Sequence, residues 1–328
     1  MPQLAFLIYI PRSGSTLLSK MLDGYRDVTV SLEANLPDGI VREEFHASSQ
    51  SNLKEEIDEL YEDRKFRNWD IPKHILIKRM QQIQFPVHFS DILPILLEEG
   101  ARARGQSPSV CVYKTGGYTL HIPKLRSLFP DSKILIALRD PRAVYNSQKK
   151  AIGSKTDRPM AVNPIAFTRL KRRKYRTMRL LKRKRWFKVV QYENLVCNPT
   201  EVVEKVLSFL EVPARPDTGQ RCYEDAIPPS QQHLHPLIHE KPRKDRIDAW
   251  QSELSVEEIW LLDLILGDEM QRWGYEKMDL PSLSPRNICN IIRYVSELPL
   301  YFPRWLRNRV SECLRAIKGR AERGRREK

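Results

Sequence analysis

A continuous apolar run, Leu4 to Ile10, stops at Pro11 and is followed at once by Arg-Ser-Gly-Ser-Thr, then by Leu17, Leu18, Met21 and Leu22 at helical spacing. Such a run is the pattern of a parallel strand buried on both faces. The stretch therefore commits the chain to an α/β sheet that begins with a strand, a tight loop and a helix. The first amides of a helix lack intrahelical partners and lie at its positive end. Gly14 lets the backbone approach an anion closely, and Ser13, Ser15 and Thr16 add hydroxyl donors. The loop reads as an oxyanion cradle; a plain turn capped by Ser or Thr is the alternative.

A nucleotide-triphosphate loop reads GxxxxGK[ST]. With Gly14 on the second glycine, Tyr9 occupies the first and Ser15 the lysine position, so the pattern fails twice, although Thr16 is kept. The cation has moved ahead of the glycine, to Arg12. Such a loop suits a phosphate ester handled without a metal ion.

PRSGSTLL after a buried strand resembles the 5'-phosphosulfate loop of the sulfotransferases that use 3'-phosphoadenosine-5'-phosphosulfate. KILIALRDPRAVYNSQKK, Lys133 to Lys150, resembles that family's 3'-phosphate signature, with Arg139 and Ser147 as its arginine and serine. The motif order and layout are closest to the protein-tyrosine and carbohydrate sulfotransferases and their bacterial relatives, from about Leu4 to Tyr275. The resemblance implies a three-layer α/β/α fold with a central, mostly parallel sheet, the P-loop NTPase-like sulfotransferase fold. It also implies sulfuryl transfer from that donor to an acceptor hydroxyl by in-line displacement, without a metal. Arg12, Ser13, Gly14, Ser15 and Thr16 would hold the 5'-phosphosulfate, and Arg139 and Ser147 the 3'-phosphate.

Further along, VTVSL (Val28–Leu32) reads as a short strand delivering Glu33 at its carboxyl end, where ligands sit in open α/β sheets. By resemblance Glu33 is the general base; alone it would be a helix-start or surface acid. Residues 34–109 carry helical periodicity punctuated by Pro37, Pro72, Pro86 and Pro94, and are read as a helical insertion near the acceptor cleft. Lys114 ends the apolar run SVCVYKTGG and, by resemblance, reaches the transferring group; with Arg12 it would neutralise the leaving adenosine bisphosphate. Lys133–Leu138 is a strand, and Ser147 lies about two turns into a helix opened by Pro141. Where relatives often carry an arginine four residues past the serine, this chain has Ala151, with Lys149 and Lys150 nearby. VVQYENL resembles the family segment whose tyrosine, here Tyr192, lies near the cofactor. Asp225–Trp250 occupies the place of the late cofactor loop, with Lys241, Arg243, Lys244 and Arg246 as candidates and Lys241 and Arg246 chosen. His233, His235 and His239 lack the acids or cysteines of a metal set.

A net charge of +15 points to anionic partners: a polyanionic cofactor, nucleic acid, acidic glycan or lipid. The densest basic segment, Phe167–Lys188, reads as a helix with a basic exposed face. The five scattered cysteines exclude a disulfide framework. No run is long enough to span a bilayer, and no basic leader precedes the first strand, so a cytoplasmic enzyme is expected, with peripheral membrane contact left open. The domain reading is 1–280 for the catalytic domain and 281–328 for a basic amphipathic tail, which holds 12 Lys/Arg against 4 Glu from Arg286 onward. Glycan, lipid-linked glycan, tyrosine and small alcohol all remain open as acceptors, with an anionic or membrane-associated one preferred and nucleic acid not expected. Two other classes are carried: a small-molecule kinase with an aberrant P-loop, and a non-catalytic basic module binding nucleic acid or membrane.

Overall fold

The computed structural model describes residues 1–34, 36, 46–152, 158–217, 242–298 and 301. Lys241, the three histidines at 233, 235 and 239, and the tail past Tyr301 lie outside the described residues. The chain forms two compact units, one of residues 1–139 and 177–248, the other of 140–176 and 249–328.

The first unit is built on five parallel strands in the order β2-β5-β1-β6-β7. These are β1 (Gln3–Tyr9), β2 (Val28–Val30), β5 (Val110–Thr115), β6 (Lys133–Leu138) and β7 (Phe187–Gln191); β3 (His46–Ala47) and β4 (Val87–His88) form a separate antiparallel pair. Ala5 to Ile8 of β1 have no exposed surface, as a central strand covered on both faces requires. Each buried Leu, Ile or Phe of this kind contributes about 1.5–3 kcal/mol. Helices α1 (Ser15–Asp23), α2 (Gln50–Glu62), α3 (Arg64–Arg67), α4 (Lys73–Met80), α5 (Phe89–Ala103) and α6 (Ile122–Leu128) complete its first half. Between residues 46 and 109 the described helices are α2 to α5, and Leu53, Ile57 and Leu60 of α2 form one buried stripe. Asp23, at the end of α1, accepts Val30 N–H at 2.8 Å and pairs with Arg104 beyond α5, tying both helices to β2. Burial raises the Asp23 pKa, and the Arg104 guanidinium acts against that shift.

Chain order around β1 reverses, because β5 and β2 lie on one side and β6 and β7 on the other. This is the topological switch point at which open α/β sheets bind ligands. The strand expected at Val28–Leu32 ends earlier, at Val30. The Ser31 N–H still donates to Val112 O at 2.9 Å, but the Lys114 N–H then goes to Ser31 Oγ at 3.0 Å, so the ladder stops there and the chain turns to present Glu33.

In the second unit, α7 (Pro141–Lys150), the larger part of α8 (Pro164–Leu181), α12 (Trp250–Glu253), α13 (Val256–Arg272) and α14 (Pro285–Ser296) pack together; α9 (Tyr192–Cys197), α10 (Pro199–Leu210) and α11 (Asp245–Asp248) belong to the first. Phe167, Thr168 and Tyr175 form the buried side of α8 while Arg169, Arg172, Arg173 and Arg176 are exposed, so its basic face is a surface. Arg142 is almost fully buried, bonded to Asp140 at 2.7 Å and Asp263 at 3.2 Å, with Trp250 stacked 4.0 Å from its guanidinium. Glu258, also buried, accepts from Lys149 at 2.8 Å and, from the third position of α13, reaches back to the Ser255 N–H at 3.0 Å to cap the helix start. Among the described residues no helix is long and apolar enough to cross a membrane.

Candidate active site

Every strand of the large sheet delivers one candidate residue at its carboxyl end. β1 leads into the Arg12–Thr16 loop, β2 to Glu33, β5 ends with Lys114, β6 is followed by Arg139 and β7 by Tyr192. Parallel pairing places these ends on one edge, which is why residues far apart in sequence share a site.

In the loop, Ile10 O accepts the Ser13 N–H at 3.1 Å, and Gly14 O accepts that of Leu18 to start α1. No side chain caps this helix start. Two residues take left-handed backbone conformations, Gly14 at φ +86° and Arg12 at φ +75°. The second is costly for a residue with a side chain, and such strain concentrates at ligand clamps. A Cβ at Gly14 would also collide with the Tyr192 ring, so glycine is required by conformation and by space. Ser13 is 2% exposed, and among the described residues its buried Oγ has no hydrogen-bond partner.

Glu33 is gripped unevenly. The Tyr9 hydroxyl donates a short hydrogen bond to its Oε1, and Lys114 Nζ lies 3.3 Å from the same oxygen. Oε2 lies 3.5 Å from Lys65 Nζ of α3, with both side chains about one third exposed. Lys114 itself is 2% exposed and donates to Thr16 Oγ1 at 3.1 Å, with its ammonium 5.6 Å from the Tyr9 ring centre. One buried cation therefore joins the anion loop to the carboxylate.

On the other side of β1, Arg139 donates to Arg12 O at 3.4 Å and to Arg246 O at 2.5 Å, and its guanidinium lies 4.2 Å above the Tyr192 ring. Burial, and then the neighbouring Arg139 charge, pull Arg12 below the ordinary arginine value. Burial raises the Tyr192 phenol, with Arg139 acting the other way. Two guanidinium groups brought this close fit a polyanion.

The structure thus brings together Arg12, Ser13, Gly14, Ser15, Thr16, Glu33, Lys114, Arg139 and Tyr192, with Arg246 contributing its carbonyl. Ser147 stands half-buried on α7 in the second unit. The segment VVQYENL ends β7 and then forms the short helix α9 from Tyr192, which seats that ring on Gly14. Sequence reasoning missed Tyr9 and Lys65. Tyr9 carried a weak signal, as the only hydroxyl in an otherwise aliphatic and aromatic strand; Lys65 carried none, being one of many lysines on a helical segment.

The profile of the sulfotransferase family matches residues 5–217. The chain is 25% identical over 306 residues to the nodulation protein NoeE of Sinorhizobium fredii, covering 84% of this chain and 67% of that protein. It is 26% identical over 221 residues to a protein-tyrosine sulfotransferase of Drosophila melanogaster, covering 64% of this chain and 38% of the relative. Among solved structures, the sulfotransferase domain from the curacin biosynthetic pathway matches with a TM-score of 0.55 at 20% identity, over 86% of this chain and 99% of that one. That from the Synechococcus PCC 7002 olefin synthase gives 0.54 at 20% identity, over 85% and 96%. These two likenesses are of fold, which is the parallel sheet described above. Because the family profile runs from within β1 to beyond α10, through the anion loop, Glu33, Lys114, Arg139 and Tyr192, the chain belongs to the sulfotransferase family.

Proposed function

We propose that this enzyme transfers the sulfuryl group of 3'-phosphoadenosine-5'-phosphosulfate to an acceptor hydroxyl, with Glu33 as general base. The observation that carries the reading is Lys114 Nζ, 3.1 Å from Thr16 in the anion loop and 3.3 Å from Glu33. The same ammonium can stabilise charge on the departing bridging oxygen and lie beside the base that takes the acceptor proton. The buried, unpartnered Ser13 Oγ supports a ligand in the loop.

In this mechanism the loop amides, Arg12, Ser13, Ser15 and Thr16 hold the 5'-phosphosulfate, and Arg139 takes the 3'-phosphate. Tyr9 and Lys114 fix Glu33 Oε1, so Oε2 accepts the proton as the acceptor oxygen attacks sulfur and the bond to adenosine bisphosphate breaks. Lys65 stands beside that second oxygen, so an acceptor carrying its own negative charge has a cation to meet at the point of attack. This favours an anionic glycan, free or lipid-linked, as the acceptor class.

The test is thermal stability with adenosine 3',5'-bisphosphate in EDTA, on the native protein and on Arg139→Ala. Ligand at a hundred times its dissociation constant adds about 2.7 kcal/mol to the native protein. The expected result is a clear shift for the native protein and a much smaller one for the variant. A shift with Mg-ATP alone would instead make the protein a kinase and remove this reading.

A further inference from the structure

Tyr9 and Glu33 meet across a gap. In the order β2-β5-β1, strand β5 separates the end of β1, which carries Tyr9, from the end of β2, beyond which Glu33 lies. Neighbouring strands stand about 4.8 Å apart, so the Tyr9 side chain has to pass over the end of β5 to reach its partner. It does so, with the phenol donating to Glu33 Oε1 and the Lys114 ammonium 5.6 Å from the ring centre.

Gly116 leaves that path open. It is the first residue past the end of β5, and since Ile8 pairs with Thr115 in the parallel register, it comes level with Tyr9. A Cβ on Gly116 would stand 3.2 Å from Cε2 of the Tyr9 ring, 3.4 Å from Cζ and 3.6 Å from the hydroxyl oxygen. The first distance is shorter than an ordinary contact of about 3.5–4.0 Å, and all three fall on the edge of the ring that carries the donor. The ring would have to give way by a few tenths of an ångström. It has little room to do so, because Tyr9 is 6% exposed and its neighbour Lys114 is buried.

Backbone conformation does not require this glycine. Gly14 has a positive φ and Gly116 does not, so alanine at 116 acts through space alone. Gly117 supplies the contrast: its φ is −78°, and a Cβ there would meet nothing within 4 Å.

We propose that Gly116 is a positioning residue for the transfer, its missing side chain leaving the notch through which Tyr9 reaches over β5 to hold Glu33. It acts through Tyr9 and not by contact with the reacting atoms. Its kinetic consequence rests on the sulfuryl-transfer reading above; its structural consequence does not.

The test compares Gly116→Ala, Gly117→Ala, Tyr9→Phe and the double variant Tyr9→Phe with Gly116→Ala. In crystal structures of the two alanine variants, the Tyr9 hydroxyl is expected to leave hydrogen-bond reach of Glu33 in Gly116→Ala and to keep it in Gly117→Ala. Release of labelled sulfate from 3'-phosphoadenosine-5'-phosphosulfate, with water as the acceptor, gives a rate that does not depend on knowing the natural acceptor. Gly116→Ala is expected to lower kcat about three- to tenfold with the donor KM unchanged, and the double variant to be no slower than Tyr9→Phe alone. Gly117→Ala should match the native protein. The proposal is overturned if Gly116→Ala keeps the bond, if Gly117→Ala breaks it as well, or if the double variant falls by the product of the two single losses. A native protein that adenosine 3',5'-bisphosphate does not stabilise would remove the proposed function instead, and the two crystal structures would still decide for or against Gly116.

Discussion

Arg139 and Arg142 are three residues apart, both more than nine-tenths buried, and serve opposite ends. Arg142, in the second unit, is held by the carboxylates of Asp140 and Asp263, by Glu276 O at 2.9 Å and by the Trp250 ring. Arg139, in the first, is aimed by the carbonyls of Arg12 and Arg246 and by the Tyr192 ring. Carboxylates neutralise a guanidinium, whereas the carbonyls and the ring that meet Arg139 orient it. The first arrangement locks helices together, and the second sets a cation at a sheet edge. On the function proposed above, a structural role and a ligand-binding role would stand three residues apart in one motif.

The comparison breaks or sharpens most at Glu33. Glu33→Gln keeps the size of the side chain, so the turnover number should fall by about 10²–10⁴-fold while the thermal midpoint and adenosine bisphosphate binding hold. A variant that loses stability in step with rate would put Glu33 with the structural carboxylates instead.

Arg142→Ala should do the reverse. Removing one partner of a buried ion cluster costs about 3–5 kcal/mol, read as a lower midpoint of denaturant unfolding. Burial already raises Asp263, with Arg142 opposing that rise. Without Arg142 the folded state binds this proton more tightly than the unfolded state does, so the variant's deficit should deepen as pH rises above the ordinary aspartate range. Equal deficits at pH 5 and pH 8 would remove Asp263 from the account.

The smallest effect belongs to Tyr9→Phe. Its hydroxyl donates to Glu33 Oε1 and helps to hold that carboxylate in place. Loss of a charge-assisted bond of about 1.5 kcal/mol should lower kcat/KM about tenfold, with donor binding and the thermal midpoint unchanged. A fall in the midpoint that matches the loss of rate would leave Tyr9 a packing residue only.

Much of this site was legible because it is local. The apolar run to Ile10, the proline and the glycine-centred loop must form a strand, a turn and a helix start wherever they occur, and the Lys133–Leu138 strand appears at those bounds. Tyr192 was found by resemblance, but its physical role, a ring on Gly14 and under Arg139, needed the fold. The end of β2 at Val30 was not legible, because it follows from the Lys114 N–H bonding the hydroxyl of Ser31, 83 positions away.

By itself, then, the sequence determined what has its cause within a few neighbours or in composition alone: the buried strand, the anion loop and the strong positive charge. Tertiary structure decided which of two neighbouring arginines faces carboxylates and which faces carbonyls. It also decided that Tyr9 and Lys65 share Glu33. Those outcomes depend on which groups compete for a partner once the chain is folded, and hydrogen bonding and charge pairing are settled by distances that no local pattern encodes.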